Sequence, residues 1–410
     1  MSPPPAWRRS LAAGLSALPP ERRRSLRALT PTGSGLRPES DDRELLDLAS
    51  NDYLGLSRDA SVLAAAASEL AASGLGAGAS RLVCGTRPVH RILEQALGQW
   101  LARERVLLFP SGYQANIAAV SSLADRHSLV LVDRLIHHSL MAGVRCSGAS
   151  LRRFAHNDLL DLERQLMRCR SRHPDQRLLV LVESLYSMEG TSPDLEASAR
   201  LCVRHGALLL VDEAHALGVL GEGGRGLSQS LPPQLRDHTL LCGTFGKAFG
   251  SGGAFLAGDA LLGDWLLQHS GAFRYSTALA PPLAAGALAA LMRIQAEPQR
   301  GLALIARARR WREALTAAGW PRPPGEGPIL PLLVGRDCDA LALQQRLEQA
   351  GLLVVAIRPP TVPEGSARLR LVLRQDLPPG TLQRLLQALG PPPACVLEHQ
   401  APARSDHGPP

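Results

Sequence analysis

The sequence of 410 residues predicts an α/β protein, with a mostly parallel sheet in a large domain and a smaller C-terminal α/β domain behind it. Three observations predict this. Short, near-continuous apolar runs alternate with amphipathic stretches, the pattern of strands buried on both faces beneath helices. A long helical region beginning at about Pro281 separates these runs from a second, shorter set of strands and helices. Composition is that of a globular chain, 45% hydrophobic and 20% charged, which supports a substantial core.

Taken in order, residues 1–50 are expected to form an N-terminal helix, from about Pro5 to Leu29, and a connecting segment. The large domain, 51–285, carries the strands VLLFP (106–110), SLVLV (128–132), RLLVLVE (177–183), ALLLVDE (207–213), TLLCGT (239–244) and GGAFLAG (252–258). The helical region from Pro281 to Ala318 is broken or kinked at Pro298, because proline removes a backbone donor and clashes with the preceding turn. The small domain, 286–390, continues with strand ILPLLV (329–334), a helix over 339–350, strands LLVVAI (352–357) and ARLRLVL (367–373), and a last helix over 379–389. Residues 391–410, rich in proline and without apolar period, read as a disordered tail.

The formal charge of +8 does not point to nucleic acid. Residues 1–43 alone hold eight arginines against four acids, which is half the excess. The other basic residues are dispersed among acids, aromatics are 4%, and no basic run interleaves with stacking residues. No apolar stretch approaches a membrane span or a signal-peptide core. The cysteines at 84, 146, 169, 202, 242, 338 and 395 are scattered and odd in number, without a C-x-x-C pair. A soluble protein of the reducing cytoplasm is the expectation.

The stretch GTFGKAFGSGGA (243–254) holds Lys247, the only lysine beside 44 arginines. A GC-rich genome alone can leave one stray lysine, so its surroundings must decide. Arginine replaces lysine wherever a solvated charge suffices, but it stays protonated and cannot act as an amine nucleophile. The strand over 207–211 ends in Asp212, followed by Glu213, Ala214 and His215, and the next strand delivers Thr244 and Lys247 to the same rim. Ligands of doubly wound sheets bind beyond the carboxyl ends of the strands. An acid on one strand end and an amine beyond its neighbour address opposite parts of one flat ligand, as pyridoxal phosphate requires: lysine for the aldehyde, carboxylate for the ring nitrogen. Its phosphate needs backbone N–H groups at a helix start. FPSGYQAN (109–116) offers a strand, a turn and a helix onset, with Gly112 and Tyr113 as donors.

The letters DEAH at 212–215 also mark a helicase class. That reading fails, because the one lysine lies in LCGTFGKA, with leucine for the first P-loop glycine and alanine for the final hydroxyl. A metal pair at Asp212 and His215 lacks a third ligand at recognisable spacing, so no metal is expected.

Nine motifs in order carry a family resemblance: SNDYLGL (50–56), GAGASRLVCGT (76–86), SGYQAN (111–116), DRLIHHSL (133–140), ESLYSMEG (183–190), VDEAHALGVLGEGGRG (211–226), TFGKAFG (244–250), YSTALAPP (275–282) and AIRPPTVPEGSARLR (356–370). Over residues 27–390 the chain resembles the pyridoxal-phosphate-dependent α-oxoamine synthases. The resemblance implies a fold type I enzyme and a homodimer whose partner subunit completes each site. It implies that Lys247 holds the cofactor aldehyde, Asp212 the ring nitrogen, and His215 the phenolic oxygen, with Ser187 nearby. His137 matches the imidazole that stacks on the ring; on composition alone His138 would serve equally. Thr244 matches a phosphate contact, and Thr277 a phosphate ligand given across the dimer. Arg370 and Asn51 match the groups that hold the amino acid carboxylate.

Relatives of this family join glycine, alanine or serine to different acyl thioesters. The stretch AIRPPTVPEG, with Arg358 and Thr361, resembles the biotin-pathway branch, which implies decarboxylative condensation of L-alanine with a pimeloyl thioester carried on acyl carrier protein or coenzyme A. A non-catalytic member of the fold is the other-class alternative. The family's N-terminal acyl-contacting arginine matches Arg27, two residues short in its spacing to Gly33, and Arg22, Arg23 or Arg24 can fill the role instead.

Overall fold

The structure, a computed structural model, describes residues 5–33, 35–39, 41–393 and 396. All but four residues of the expected tail lie outside that set. A seven-stranded sheet forms the centre of the large domain, in the order Arg105–Phe109, Ala254–Gly258, Thr239–Thr244, Ala207–Asp212, Leu178–Glu183, Leu129–Asp133, Ser150–Phe154. Six strands run in one direction; Ala254–Gly258 is antiparallel to both neighbours. The six expected strands are therefore present. Ser150–Phe154 was not expected, because SLRRF is an edge strand with one buried residue and shows no apolar run.

The common direction places Asp133, Glu183, Asp212 and Thr244 at one rim, where Glu183 pairs with Asp212, and Asp212 with Cys242. Helices Gly112–Leu123 and His138–Ser147 start from this rim, and Ser111 caps the first by accepting a hydrogen bond from the Gln114 N–H at 3.2 Å.

Two elements differ from expectation. The N-terminal helix is confined to Ala6–Ser16; Pro19, held extended before Pro20, precedes a short 3-10 turn over Pro20–Arg22, and Leu29–Pro31 is already a strand. The run LLVVAI divides between sheets. Leu352–Leu353 pairs in parallel with Leu46–Asp47, completing a four-stranded sheet with two other N-terminal strands, Leu29–Pro31 and Gly35–Pro38. Val355–Ile357 pairs antiparallel with Ala367–Val372, which also pairs with Ile329–Gly335. Both ends of the chain thus build the smaller unit. Helices Pro281–Ala296 and Gln299–Ala317 are separated at Pro298, as proline requires. One apolar core, from Leu48 to Val396, runs from the inner face of the large sheet into the small unit. Among the described residues, no helix is long and apolar enough to cross a membrane.

Candidate active site

Lys247 sits in a loop pinned by its neighbours. Phe245 and Phe249 are fully buried, edge to face with ring centroids 5.5 Å apart, and Phe249 also meets Trp100. The loop closes through a 2.9 Å bond from the Gly250 N–H to the Lys247 carbonyl. At Gly250 φ is +62°, and a Cβ would lie 2.1 Å from the Ser57 nitrogen, so glycine is required. With both phenylalanines in the core, Lys247 faces a cavity of about 210 Å³ at the strand rim.

Asp212, His215, His137, Thr244, Gly112 and Tyr113 line that cavity with Lys247. Burial brings the Lys247 amine down to about 8, against the opposing pull of Asp212 and Glu183. Asp212 is buried, and its Oδ1 accepts from the Ala214 N–H at 2.9 Å. Glu213, the second letter of DEAH, turns away: it is buried and accepts from Ser184 Oγ and the N–H groups of Leu227 and Ser228. Its role is to hold two loops.

His215 shares a 2.6 Å hydrogen bond through Nδ1 with the hydroxyl of buried Tyr53. Burial, with the charges of Lys247 and Arg370, holds its imidazole well below the usual range. Thr244 Oγ1 donates to the Gly253 carbonyl and accepts from the Gly246 N–H, and a Cβ on Gly112 would sit 3.6 Å from it. A helix N-terminus and a hydroxyl therefore face one another across a gap.

Sequence reasoning passed over four residues here, Tyr53, Asn116, Ser139 and Glu183. Tyr53 lies two residues after Asn51. Asn116, one helical turn after Gly112, donates through Nδ2 to Asp212 Oδ2 at 2.7 Å and to Ser139 Oγ at 2.9 Å. Glu183 lines the cavity with its carboxyl driven well above the usual range by burial and then by Asp212. All four belong to motifs already quoted; their type alone did not distinguish them. His138 pairs with Tyr113, Nδ1 to hydroxyl at 3.0 Å, and does not line the cavity, whereas His137 does.

Arg370 is buried, donating from Nε to the Ser187 carbonyl at 2.6 Å and from Nη2 to Asn51 Oδ1 at 3.0 Å. Neither Ser187 nor Thr277 lines the cavity. Thr277 is exposed, and its backbone bridges to Ser80.

A larger cavity of about 830 Å³ opens between the N-terminal segment and the small unit, lined by Arg22, Arg23, Arg24, Arg27, Arg358 and Thr361 among others. Arg24 Nη2 donates to Thr361 Oγ1 at 3.0 Å. Arg27 pairs with Glu348 at 2.9 Å, Arg22 with Asp337 and Glu364, and Arg358 donates to the Glu21 carbonyl. The chain from 50 to 53 connects the two cavities: Ser50 lines the larger, Asn51 receives Arg370, and Tyr53 bonds His215 in the smaller.

A lysine that spends part of its time uncharged, set against a carboxylate at the end of a parallel strand, is the working arrangement of fold type I pyridoxal-phosphate enzymes, and that is the class defined here. The family model for aminotransferase class I and II matches residues 43–389, and the chain belongs to that family. It is 42% identical over 389 residues to the 8-amino-7-oxononanoate synthase of Alkalilimnicola ehrlichii, covering 94% of this chain and 98% of that one. Its fold is similar to a variant serine palmitoyltransferase from S. paucimobilis solved with a PLP–myriocin aldimine bound, with TM-score 0.83, 26% identity, and 88% and 91% of the two chains covered. It is also similar to the 8-amino-7-oxononanoate synthase of Francisella tularensis, with TM-score 0.70, 25% identity, and coverage of 84% and 96%.

Proposed function

We propose that this chain holds pyridoxal phosphate in the smaller cavity and catalyses the decarboxylative condensation of L-alanine with a pimeloyl thioester, giving 8-amino-7-oxononanoate, carbon dioxide and the free thiol of the acyl carrier. The observation that carries it is the single lysine, lowered to about 8 and facing the same cavity as a buried strand-end carboxylate. The cavity suits the cofactor: Lys247 for the aldehyde, Asp212 for the ring nitrogen, His215 for the phenolic oxygen, and Gly112, Tyr113 and Thr244 for the phosphate. When bound, the cofactor supplies an electron sink for the pair left at the amino acid α-carbon.

Lys247 Nζ, partly neutral at working pH, takes the α-proton of alanine, and its conjugate acid returns a proton to the product carbon. Asp212 keeps a proton on the ring nitrogen through a charge-assisted bond. Arg370, oriented by Ser187 and Asn51, and Asn51 itself hold the alanine carboxylate until it leaves as carbon dioxide. The acyl chain occupies the larger cavity. Thr361 and Arg358 meet it there, and Arg24, already on Thr361, is better placed for it than Arg27, whose guanidinium is engaged by Glu348. The resemblance gives Thr277 to the phosphate of a second copy's site, and its exposure is compatible with that role in a homodimer.

The test supplies alanine, glycine or serine with pimeloyl, acetyl, succinyl or long-chain thioesters, on coenzyme A and on acyl carrier protein. Alanine with a pimeloyl donor should release one carbon dioxide per aminoketone and exceed every other pair. Preference for another pair would reassign the enzyme within its family. Borohydride reduction should fix cofactor mass to the peptide containing Lys247 alone.

A further inference from the structure

We propose that Asn116 and Ser139 are positioning residues that carry the charge of Asp212 to His137 and hold its imidazole as the neutral tautomer protonated at Nε2. The ring then presents a hydrogen-bond donor, and not a base, to the cavity.

The assignment follows from which groups can only accept and which can only donate. A carboxylate oxygen accepts, so the 2.7 Å contact with Asp212 Oδ2 identifies the NH₂ end of the Asn116 amide. The second hydrogen of that Nδ2 goes to Ser139 Oγ, 2.9 Å away. Receiving there, the serine hydroxyl directs its own hydrogen to His137 Nδ1 at 2.7 Å. The Ser139 backbone N–H, which can only donate, also reaches Nδ1, at 3.3 Å. Two donors converge on one ring nitrogen, which must therefore offer its lone pair. The proton of the neutral ring is left on Nε2.

Asn116 acts here through its donors, since its buried Oδ1 has no partner among the described residues. Burial and the neighbouring Lys247 and His138 also disfavour the imidazolium form, with Asp212 pulling the other way. The chain Asp212, Asn116, Ser139, His137 spans three elements: the end of the Ala207–Asp212 strand, the Gly112–Leu123 helix, and the cap and first turn of the His138–Ser147 helix. A ring pinned in this way can lie against a flat ligand without competing for its protons. Removal of the alanine α-proton is left to Lys247. That consequence rests on the proposed reaction; the tautomer does not.

The test uses holoenzyme labelled with ¹⁵N-histidine, read by long-range ¹H–¹⁵N correlation at neutral pH, with His137→Gln to assign the signals. His137 should show a protonated Nε2 and a bare Nδ1; a protonated Nδ1 overturns the proposal. Ser139→Ala should admit the Nδ1-protonated form and slow alanine α-proton exchange on the order of 10- to 100-fold, the range seen when a partner that orients a metal-bound imidazole is lost, while cofactor affinity is unchanged. Ser139→Thr keeps the hydroxyl and should restore both readouts. A Ser139→Ala enzyme that loses exchange with its tautomer unchanged, or shifts tautomer with exchange unchanged, also overturns the proposal. The wild-type tautomer decides even if a variant fails to fold. Wild-type enzyme carrying the tautomer but unable to exchange the alanine proton would instead sink the proposed reaction.

Discussion

Lys247 in the cofactor-free protein should titrate near 8, against 10.5 for an unperturbed lysine. At pH 7.5 an amine at about 8 is roughly one-quarter neutral and one at 10.5 about one part in a thousand, so the cavity raises the free amine roughly 200-fold. The cause is desolvation of the ammonium, opposed by Asp212 and Glu183, so Asp212→Asn should push the midpoint lower still. Pulse acylation with acetic anhydride from pH 6 to 11, followed by mass spectrometry of the residue-247 peptide, reads the titration directly. With no second lysine in the chain, the α-amine is the one competing amine and lies on a separate peptide. A midpoint at 10 or above, or an upward move in Asp212→Asn, would refute the argument that burial makes this lysine a base.

Asp212→Asn in the holoenzyme should cut alanine α-proton exchange on the order of 100-fold, as expected for loss of a preorganised electrostatic partner, with cofactor affinity much less affected; exchange at the parent rate would remove Asp212 from its role. Thr361→Trp and Arg24→Ala should raise the KM for the pimeloyl donor and leave alanine binding alone, measured by varying each substrate in turn. Glu183 is pushed up by burial, so its ionisation costs stability increasingly as pH climbs from the ordinary carboxylate range towards the raised value. Glu183→Gln should abolish that pH dependence in thermal melts without loss of fold. Buried Arg312 donates to the carbonyls of Pro323, Pro324, Gly327 and Ile329, and Arg312→Met should cost about 3 kcal/mol by urea denaturation, because those acceptors lose their donors.

The strands of the large sheet were legible because burial on both faces writes itself as an unbroken apolar run. Ser150–Phe154 was not, since an edge strand can remain polar. LLVVAI looked like one strand because a run of apolar residues does not record that the chain changes sheets at Val354. Lys247, Asp212 and His215 were legible through chemistry: a lysine that arginine cannot replace and an acid at a strand end. Asn116 and Tyr53 were hidden by the opposite circumstance, each being an ordinary polar residue whose role exists only through a partner 96 or 162 positions away. The choice among the N-terminal arginines has the same origin. Nothing in the run ERRRSLR says that Arg24 meets Thr361 while Arg27 meets Glu348.

The two cavities also differ in when a growing chain can make them. The walls of the smaller one come from residues 112–247, whereas the larger needs residues 20–50 to meet 341–361, and Asn51 waits for Arg370 across 319 positions. Long-range closures of that kind come late, because the intervening chain must first be ordered or held together. During synthesis residues 20–50 therefore leave the ribosome well before the residues 341–361 on which they dock. The lining of the lysine cavity is made once residue 247 has been added, whereas the larger cavity gains its last lining residues only when 341–361 leave the ribosome.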